Sequence, residues 1–246
     1  MKDVLVVKVG TSTLLGTHEA PSKSFDYIAA SIRELMHDHH VVLVTSGAIG
    51  FGVVQLGLDM RPQEVSQLQA LSMIGQVGLL RRWREAFQGA TIGQVLLTRH
   101  DMAGESTRES FCASVMQLWE YDAVPIVNEN DAVSHEEISF GDNDQLAAEV
   151  AVVLGAKRLV LLTDQDGIQA AFGTAKQRRL EVASIHEVES HIMPVKSSLG
   201  KGGASSKILA ARRAVESGVE VYVAHAATER SLQAALAGQA GTKIVQ

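Results

Sequence analysis

Residues 125–146, PIVNENDAVSHEEISFGDNDQL, lead from a strand-like run, Ala123–Val127, to the start of a helical pattern at Gln145. Between these ends stand Glu129, Asp131, Glu136, Glu137, Asp142 and Asp144, together with Asn128, Asn130 and Asn143. No Lys or Arg occurs from Glu109 to Ala156. A connection this long inside a compact domain is either functional or disordered. Disorder suits it poorly, because Val133, Ile138 and Phe140 interrupt the acids and tie the segment down. The stretch therefore reads as a loop between a strand and a helix that holds something cationic: an ammonium group, a metal ion, or lysines from elsewhere in the chain.

Outward from this loop the same alternation of strand and helix repeats. Val4–Val9 is continuously apolar except for Lys8, as in a strand covered on both faces. Ile28, Ile32, Leu35 and Met36 recur at helical spacing, and Val41–Val44 is the next strand. Leu68, Leu71, Leu79 and Leu80 mark helix ahead of a strand at Ile92–Leu97. Phe111, Val115, Leu118 and Trp119 form a helical stripe before Val124–Val127. Helix at Leu146–Leu154 precedes a strand at Leu159–Leu162, and Ile208, Ala211 and Val215 precede Val219–Val223. A last helix is expected near Ser231–Leu236 and a final strand at Thr242–Val245. This order predicts an α/β fold with a mainly parallel sheet between helical layers. Ligands in such sheets bind beyond the carboxyl ends of the strands, which is where every unusual loop of this chain falls. Periodicity weakens and charge rises over Asp166–Lys201, the nearest candidate for a division into two lobes.

Composition narrows the chemistry. The chain has 246 residues, 46% hydrophobic and 4% aromatic, with 21 glycines, 4 prolines and a net charge of −6. It has neither the basic density that tracks a nucleic-acid backbone nor the aromatics for base stacking. The single Cys112, on an apolar helical pattern, excludes an intrachain disulfide and reads as a small core residue. No apolar run approaches membrane-spanning length, and the N-terminus opens directly into a strand pattern. The expectation is a soluble, cytoplasmic chain. His37, His39 and His40 are expected at a helix end, and His100, His135 and His186 lack ligand spacing, so no metal-ligating residues are assigned. Trp83 and Trp119 are expected in the core or at an interface.

The loops carry the chemistry. In Lys8-Val9-Gly10-Thr11-Ser12 a lysine closes a buried strand, where it either reaches solvent at the strand end or is desolvated unless an anion meets it. The glycine turn beside it suits phosphate oxygens, although it is not the GxxxxGK[ST] loop. Thr45-Ser46-Gly47-Ala48-Ile49-Gly50 lets backbone N–H groups converge on a phosphate or a carboxylate. Lys201-Gly202-Gly203-Ala204-Ser205-Ser206-Lys207 precedes a helix and puts Lys207 in its first turn, a conflict with the macrodipole unless an anion sits there. Thr163-Asp164-Gln165-Asp166-Gly167 follows another buried strand. Lysines and glycine loops toward the two ends, with carboxylates between them, match what phosphoryl transfer requires.

The segments VVKVGTSTL, VTSGAIGFG, QVLLTRHDM, PIVNENDAV, FGDNDQLAAEVA, LVLLTDQDG and GKGGASSKILAA, in this order from Val6 to about Ala211, resemble the amino acid kinase family. NENDAV with GDND points to its glutamate-phosphorylating members. The resemblance implies a three-layer αβα sandwich around a mainly parallel sheet, one domain over 1–246, with an acceptor-side lobe of about 1–155 and a nucleotide-side lobe of about 156–246. It implies that the chain ends without the PUA domain many members carry. The catalytic residues it implies are Lys8, Asp144 and Lys207, with Asp144 orienting the two lysines. Ser46, Gly47, Ala48, Asn128, Asp131 and Asn143 would hold glutamate. Lys8, Gly10, Thr163, Asp164, Lys201, Gly202, Gly203, Ala204, Ser205, Ser206 and Lys207 would lie along ATP, which arrives with Mg²⁺. The implied reaction is ATP-dependent phosphorylation of the γ-carboxylate of L-glutamate, the first step of proline biosynthesis, with the product taken on by a glutamyl phosphate reductase and the protein a homo-oligomer. Rival readings are a kinase of the same fold acting on acetylglutamate, carbamate or uridylate, and a non-catalytic nucleotide-binding regulator. The chain departs from the family's pattern in GIQAAFGTAKQRR (167–179), where a Tyr and an Asp-Pro-Arg are usual, and at Lys201 and Ala204, where Thr and Met are usual.

Overall fold

A computed structural model describes residues 2–15, 23–134, 143–170, 177–192, 203–226 and 228–246. In chain order the elements are β1 (Asp3–Val9), α1 (Thr11–Leu15), α2 (Ser24–Leu35), β2 (His39–Val44), α3 (Ala48–Gln55), α4 (Val65–Ala86), β3 (Ile92–Leu97), α5 (Arg99–Ala103), α6 (Glu105–Glu120), β4 (Val124–Glu129), α7 (Asn143–Val153), β5 (Arg158–Thr163), β6 (Gln169–Ala170), β7 (Arg178–Arg179), β8 (Val182–Ser184), α8 (Ile185–Ile192), α9 (Gly203–Glu216), β9 (Glu220–His225), α10 (Ser231–Leu236) and β10 (Thr242–Val245).

Eight strands form one sheet in the order β3-β4-β2-β1-β5-β9-β10-β8. All neighbours are parallel except β10, which runs antiparallel to β9 and parallel to β8. β1 lies at the centre, with Lys8 in register with Val44 of β2 on one side and Leu161 of β5 on the other. A central strand hydrogen-bonded on both edges and covered on both faces has to be almost wholly apolar, which is why Val4–Val9 is so legible.

Strand residues alternate between two apolar layers. Val6, Val42, Val44, Val127, Leu159 and Leu161 face one, completed by Val115 of α6, Val150 of α7, Val188 of α8 and Ala211 of α9. Leu5, Val7, Leu43, Ile126, Val160 and Leu162 face the other, completed by Ile28 of α2, Leu79 and Trp83 of α4, and Leu232 of α10. The molecule is thus the expected α/β sandwich of helices, sheet and helices.

Several sequence expectations shift. β4 continues through Asn128 and Glu129, so the acidic excursion begins two residues later than the apolar run suggests. His39 and His40 lie in β2 and not at a helix end, because α2 stops at Leu35 and residues 36–38 form the turn. The His40 ring stacks on Trp119 at 4.6 Å, and burial lowers its pKa. Trp83 is fully buried, 4.5 Å from Phe25, which removes it from any interface; Trp119 is half-buried and donates to Val41 O. Cys112 is half-buried, packed against apolar residues and directed at Val153 O. Burial pushes its thiol pKa up, consistent with an inert packing role. Elements α1, α3, α5, β6, β7, β8 and α8 have no counterpart in the helices and strands expected from the sequence. The strands among them are two or three residues long, too short for period-two alternation to register.

Candidate active site

The parallel strands end at one edge of the sheet, and their following loops meet there. Lys8, the penultimate residue of β1, points its ammonium at Asp144 Oδ1, 2.6 Å away. Lys207 of α9 reaches the other oxygen, Oδ2, at 2.9 Å. Asp144 itself is the second residue of α7, where a carboxylate is favoured by the helix dipole. Its relative exposure is 0% and that of Lys8 is 3%. Burial by itself would push the Asp144 carboxyl up; the Lys8 and Lys207 ammoniums outweigh it and hold the carboxyl below its ordinary range. Two cations on one anion leave a net positive charge at the end of the central strand. A Cβ added to Gly10 would lie 3.6 Å from Lys8 Nζ, so the ammonium folds back over a residue that offers bare backbone. This cluster answers the requirement that Lys8 find an anion.

Beside it, Asn143, the first residue of α7, donates from Nδ2 to Thr45 O and, at 2.7 Å, to Asn128 Oδ1. Asn128 also accepts from Glu129 N at 2.9 Å and donates to Gln76 Oε1 of α4 at 2.7 Å. Thr45 is buried between β2 and α3, its hydroxyl accepting from Trp83 Nε1 at 2.9 Å. Ser46 and Gly47 follow. Gly47 has φ +109°, a conformation that suits glycine, and it caps α3, whose N-terminus begins at Ala48. The Ser46 and Ser206 hydroxyl oxygens are buried with no hydrogen-bond partner among the described residues. A buried hydroxyl without a protein partner calls for a water, an ion or a ligand to meet it.

Of the residues expected from the sequence, the structure brings together Lys8, Asp144 and Lys207, and separately Ser46, Asn128 and Asn143 around Thr45. Asp131 lies half-buried in the turn after β4. Thr163 closes β5 and bonds the exposed Asp164 at 3.1 Å. Lys207 is the fifth residue of α9, not part of its first turn, because the helix begins at Gly203. Its cation is accounted for by Asp144 and not by the helix terminus. Gly203, Ala204 and Ser205 open that helix; Lys201, Gly202, Glu136, Glu137 and Asp142 lie outside the described residues. Sequence reasoning missed Gln76. The available signal was one amide on an otherwise apolar stretch of α4, MIGQVGLL.

No group of metal-ligating side chains occurs among the described residues, and no described helix is long and apolar enough to cross a membrane. The one fully buried carboxylate of the site has both oxygens committed to lysines.

The family model described as "Amino acid kinase family" matches residues 3–225. The glutamate 5-kinase of Geobacillus kaustophilus is 38% identical over 245 residues, 96% of this chain and 65% of that protein, so the chain spans just under two thirds of this relative's length. The glutamate 5-kinase of Clostridium acetobutylicum is 35% identical over 239 residues, 93% of this chain and 89% of that protein. That of Mycobacterium tuberculosis is 41% identical over 234 residues, 91% of this chain and 61% of that protein. Among solved structures, carbamate kinase from Giardia lamblia bound to AMP-PNP superposes with a TM-score of 0.69 at 15% identity, covering 99% of this chain and 98% of that one. UMP kinase from Ureaplasma parvum superposes with a TM-score of 0.66 at 13% identity over the whole of both chains.

Proposed function

The chain belongs to the amino acid kinase family, and from that premise we propose that it is a glutamate 5-kinase, transferring the γ-phosphoryl group of ATP to the γ-carboxylate of L-glutamate. What carries this reading is the pair of ammoniums held on one buried carboxylate at the carboxyl edge of the sheet, in a chain whose curated relatives are glutamate 5-kinases.

The roles follow from charge. A γ-carboxylate is ionised at neutral pH, so it attacks without a general base. Its oxygen forms a bond to the γ-phosphorus while the bond to the β,γ-bridging oxygen breaks, and ADP leaves; no proton moves. Two anions have to be brought into line, and negative charge builds on the transferring group. Lys8 and Lys207 neutralise that charge from opposite sides of Asp144, whose task is to fix their positions. Gly10, the N-terminal turn of α9 with Ser206, and Thr163-Asp164 lie along the nucleotide, which is bound as its Mg²⁺ complex. Ser46, with the N-terminus of α3, takes a carboxylate of the acceptor. Asn128, Asp131 and Asn143 surround its α-ammonium, a group N-acetylglutamate lacks. The acyl phosphate product is reactive and is taken on by a glutamyl phosphate reductase.

The test is ATP-dependent hydroxamate formation, in which hydroxylamine traps the acyl phosphate. Signal with L-glutamate and none with N-acetylglutamate is expected, with Lys207→Ala lowering turnover about 100-fold or more while nucleotide still binds. A folded, ATP-binding protein that yields no hydroxamate from either acceptor would refute the assignment and favour a regulatory nucleotide binder.

A further inference from the structure

A run of side-chain amides leads from α4 to the acceptor side of the site, and backbone groups dictate its direction. The Glu129 N–H can only donate, so the Asn128 atom 2.9 Å from it is the oxygen Oδ1. The Thr45 carbonyl can only accept, so the Asn143 atom turned to it is the nitrogen Nδ2. These two requirements agree with each other, because Asn143 Nδ2 also donates to Asn128 Oδ1 at 2.7 Å. Asn128 Nδ2 is then turned toward α4, where Gln76 Oε1 accepts from it at 2.7 Å. Asn128 is buried, so this donor has to be satisfied within the protein.

We infer that Gln76 is a positioning residue for the acceptor ammonium: by accepting from Asn128 Nδ2 it locks the amide run in one polarity, which leaves Asn143 Oδ1 as the atom that meets the ligand. This rests on the proposed glutamate kinase activity. The chemistry is one of counting. Both N–H bonds of Asn143 are spent, on Thr45 O and Asn128 Oδ1, so the remaining atom of its amide is an acceptor. An acceptor oxygen takes a charge-assisted hydrogen bond from an α-ammonium, whereas an acylated nitrogen offers it a single neutral N–H and more bulk. Without Gln76 the buried Asn128 amide carries an unmet donor, and its rotation toward another acceptor removes the oxygen that holds Asn143. The whole run then loses its sign, although no residue touching the phosphoryl group has changed. Gln76 sits on the 22-residue α4, so it is held by an element independent of the α7 and β4 termini it organises.

The experiment compares Gln76→Met, which keeps length and helix preference but cannot accept a hydrogen bond, with Gln76→Glu, whose carboxylate oxygen still can. KM for L-glutamate and for ATP, kcat, and the inhibition constant of glutarate, which has both carboxylates and no ammonium, are measured by hydroxamate formation. In Gln76→Met, KM for L-glutamate is expected to rise about tenfold or more. KM for ATP, kcat and the glutarate constant stay within about threefold, and Gln76→Glu recovers most of the glutamate KM. If Gln76→Met melts early, Gln76→Lys, of similar reach and able only to donate, carries the same expectation. A folded Gln76→Met with the wild-type glutamate KM would overturn the inference. So would a variant in which glutamate, glutarate and ATP all weaken together, as a general distortion of α4 would cause. A wild-type protein inert toward L-glutamate is a different failure, that of the kinase reading itself, and the inference falls with it.

Discussion

Asp144 is the residue on which the site's electrostatics turn. A buried carboxylate alone would prefer to be neutral, and the buried Lys8 and half-buried Lys207 alone would repel each other; together they are stable only as a set. Asp144→Asn keeps the shape and removes the charge. It is expected to lower turnover about 100-fold or more and to destabilise the fold by about 3 kcal/mol, read from hydroxamate formation and urea unfolding. Its pH signature is specific. The folded-state pKa of Asp144 lies below the unfolded value of about 3.9, so the unfolded chain binds the proton first as pH falls. The stabilisation is present above that value and is lost as pH drops through the folded pKa. Wild-type stability should therefore fall more steeply than that of Asp144→Asn as urea titrations move down from pH 5 to pH 3. Parallel slopes would mean that the carboxyl is not held in its charged form by the lysines. Glu220 is shifted the same way by the Lys243 hydrogen bond, but it stands at the opposite edge of the sheet, and Asp144→Asn leaves its contribution unchanged.

At the scale of elements, the Thr45-Ser46-Gly47 turn is held by the contact of α3 with α4. These helices approach so closely that a Cβ on Gly75 would lie 1.9 Å from Ala48 O, and one on Gly52 would lie 2.2 Å from Leu71 O. Both obstacles are backbone atoms, which cannot rotate away. Gly75→Ala is therefore expected to cost about 3 kcal/mol and to raise KM for the acceptor, because Ala48 begins α3 immediately after the Ser46-Gly47 turn. Three residues along the same helix, a Cβ on Gly78 would meet only side chains, Phe51 Cδ1 at 3.4 Å and Gln55 Oε1 at 3.7 Å. Gly78→Ala should instead stabilise by about 0.5–1 kcal/mol, since alanine loses less entropy in a helix. Opposite signs for two Gly→Ala changes in one helix, measured by urea denaturation, would show that the inter-helix approach and not helix propensity governs Gly75. The same helix carries Gln76 and the buried Trp83, whose indole N–H holds the Thr45 hydroxyl. α4 thus braces the acceptor side from behind the sheet while contributing no charge to it.

For the whole molecule, the site is drawn from β1, β2, β4, α7 and α9, spread from Lys8 to Lys207, so unfolding of any one of these elements is expected to dismantle it. Loss of activity and loss of the buried Trp83 environment, followed by fluorescence, are expected at the same urea midpoint; activity lost well before fluorescence would show that α9 detaches on its own. How much of this was written in the chain differs by feature. The central strands were legible because burial on both faces demands unbroken apolar runs, as at Leu159–Leu162. Lys8 and the acidic stretch stood out because charge beside a buried strand calls for a partner; the roles of Lys8, Lys207 and Asp144 came with the family resemblance, and residues 135–142 of the acidic stretch lie outside the described residues. β8 was not legible, since three residues at a sheet edge carry no period, and the placement of His39 and His40 in β2 depended on where α2 happened to stop. Local pattern and the cost of burying charge were enough to reach the fold class, the strand-end loops and the groups that carry charge. The resemblance implied that Asp144 orients both lysines; that each lysine takes a different oxygen of its carboxylate, and that Gln76 accepts from Asn128, fifty-two residues further on, was settled by the tertiary structure. Such pairings depend on which elements pack together, and that is settled by the register of the sheet and the approach of α3 to α4, not by any residue's neighbours in the chain.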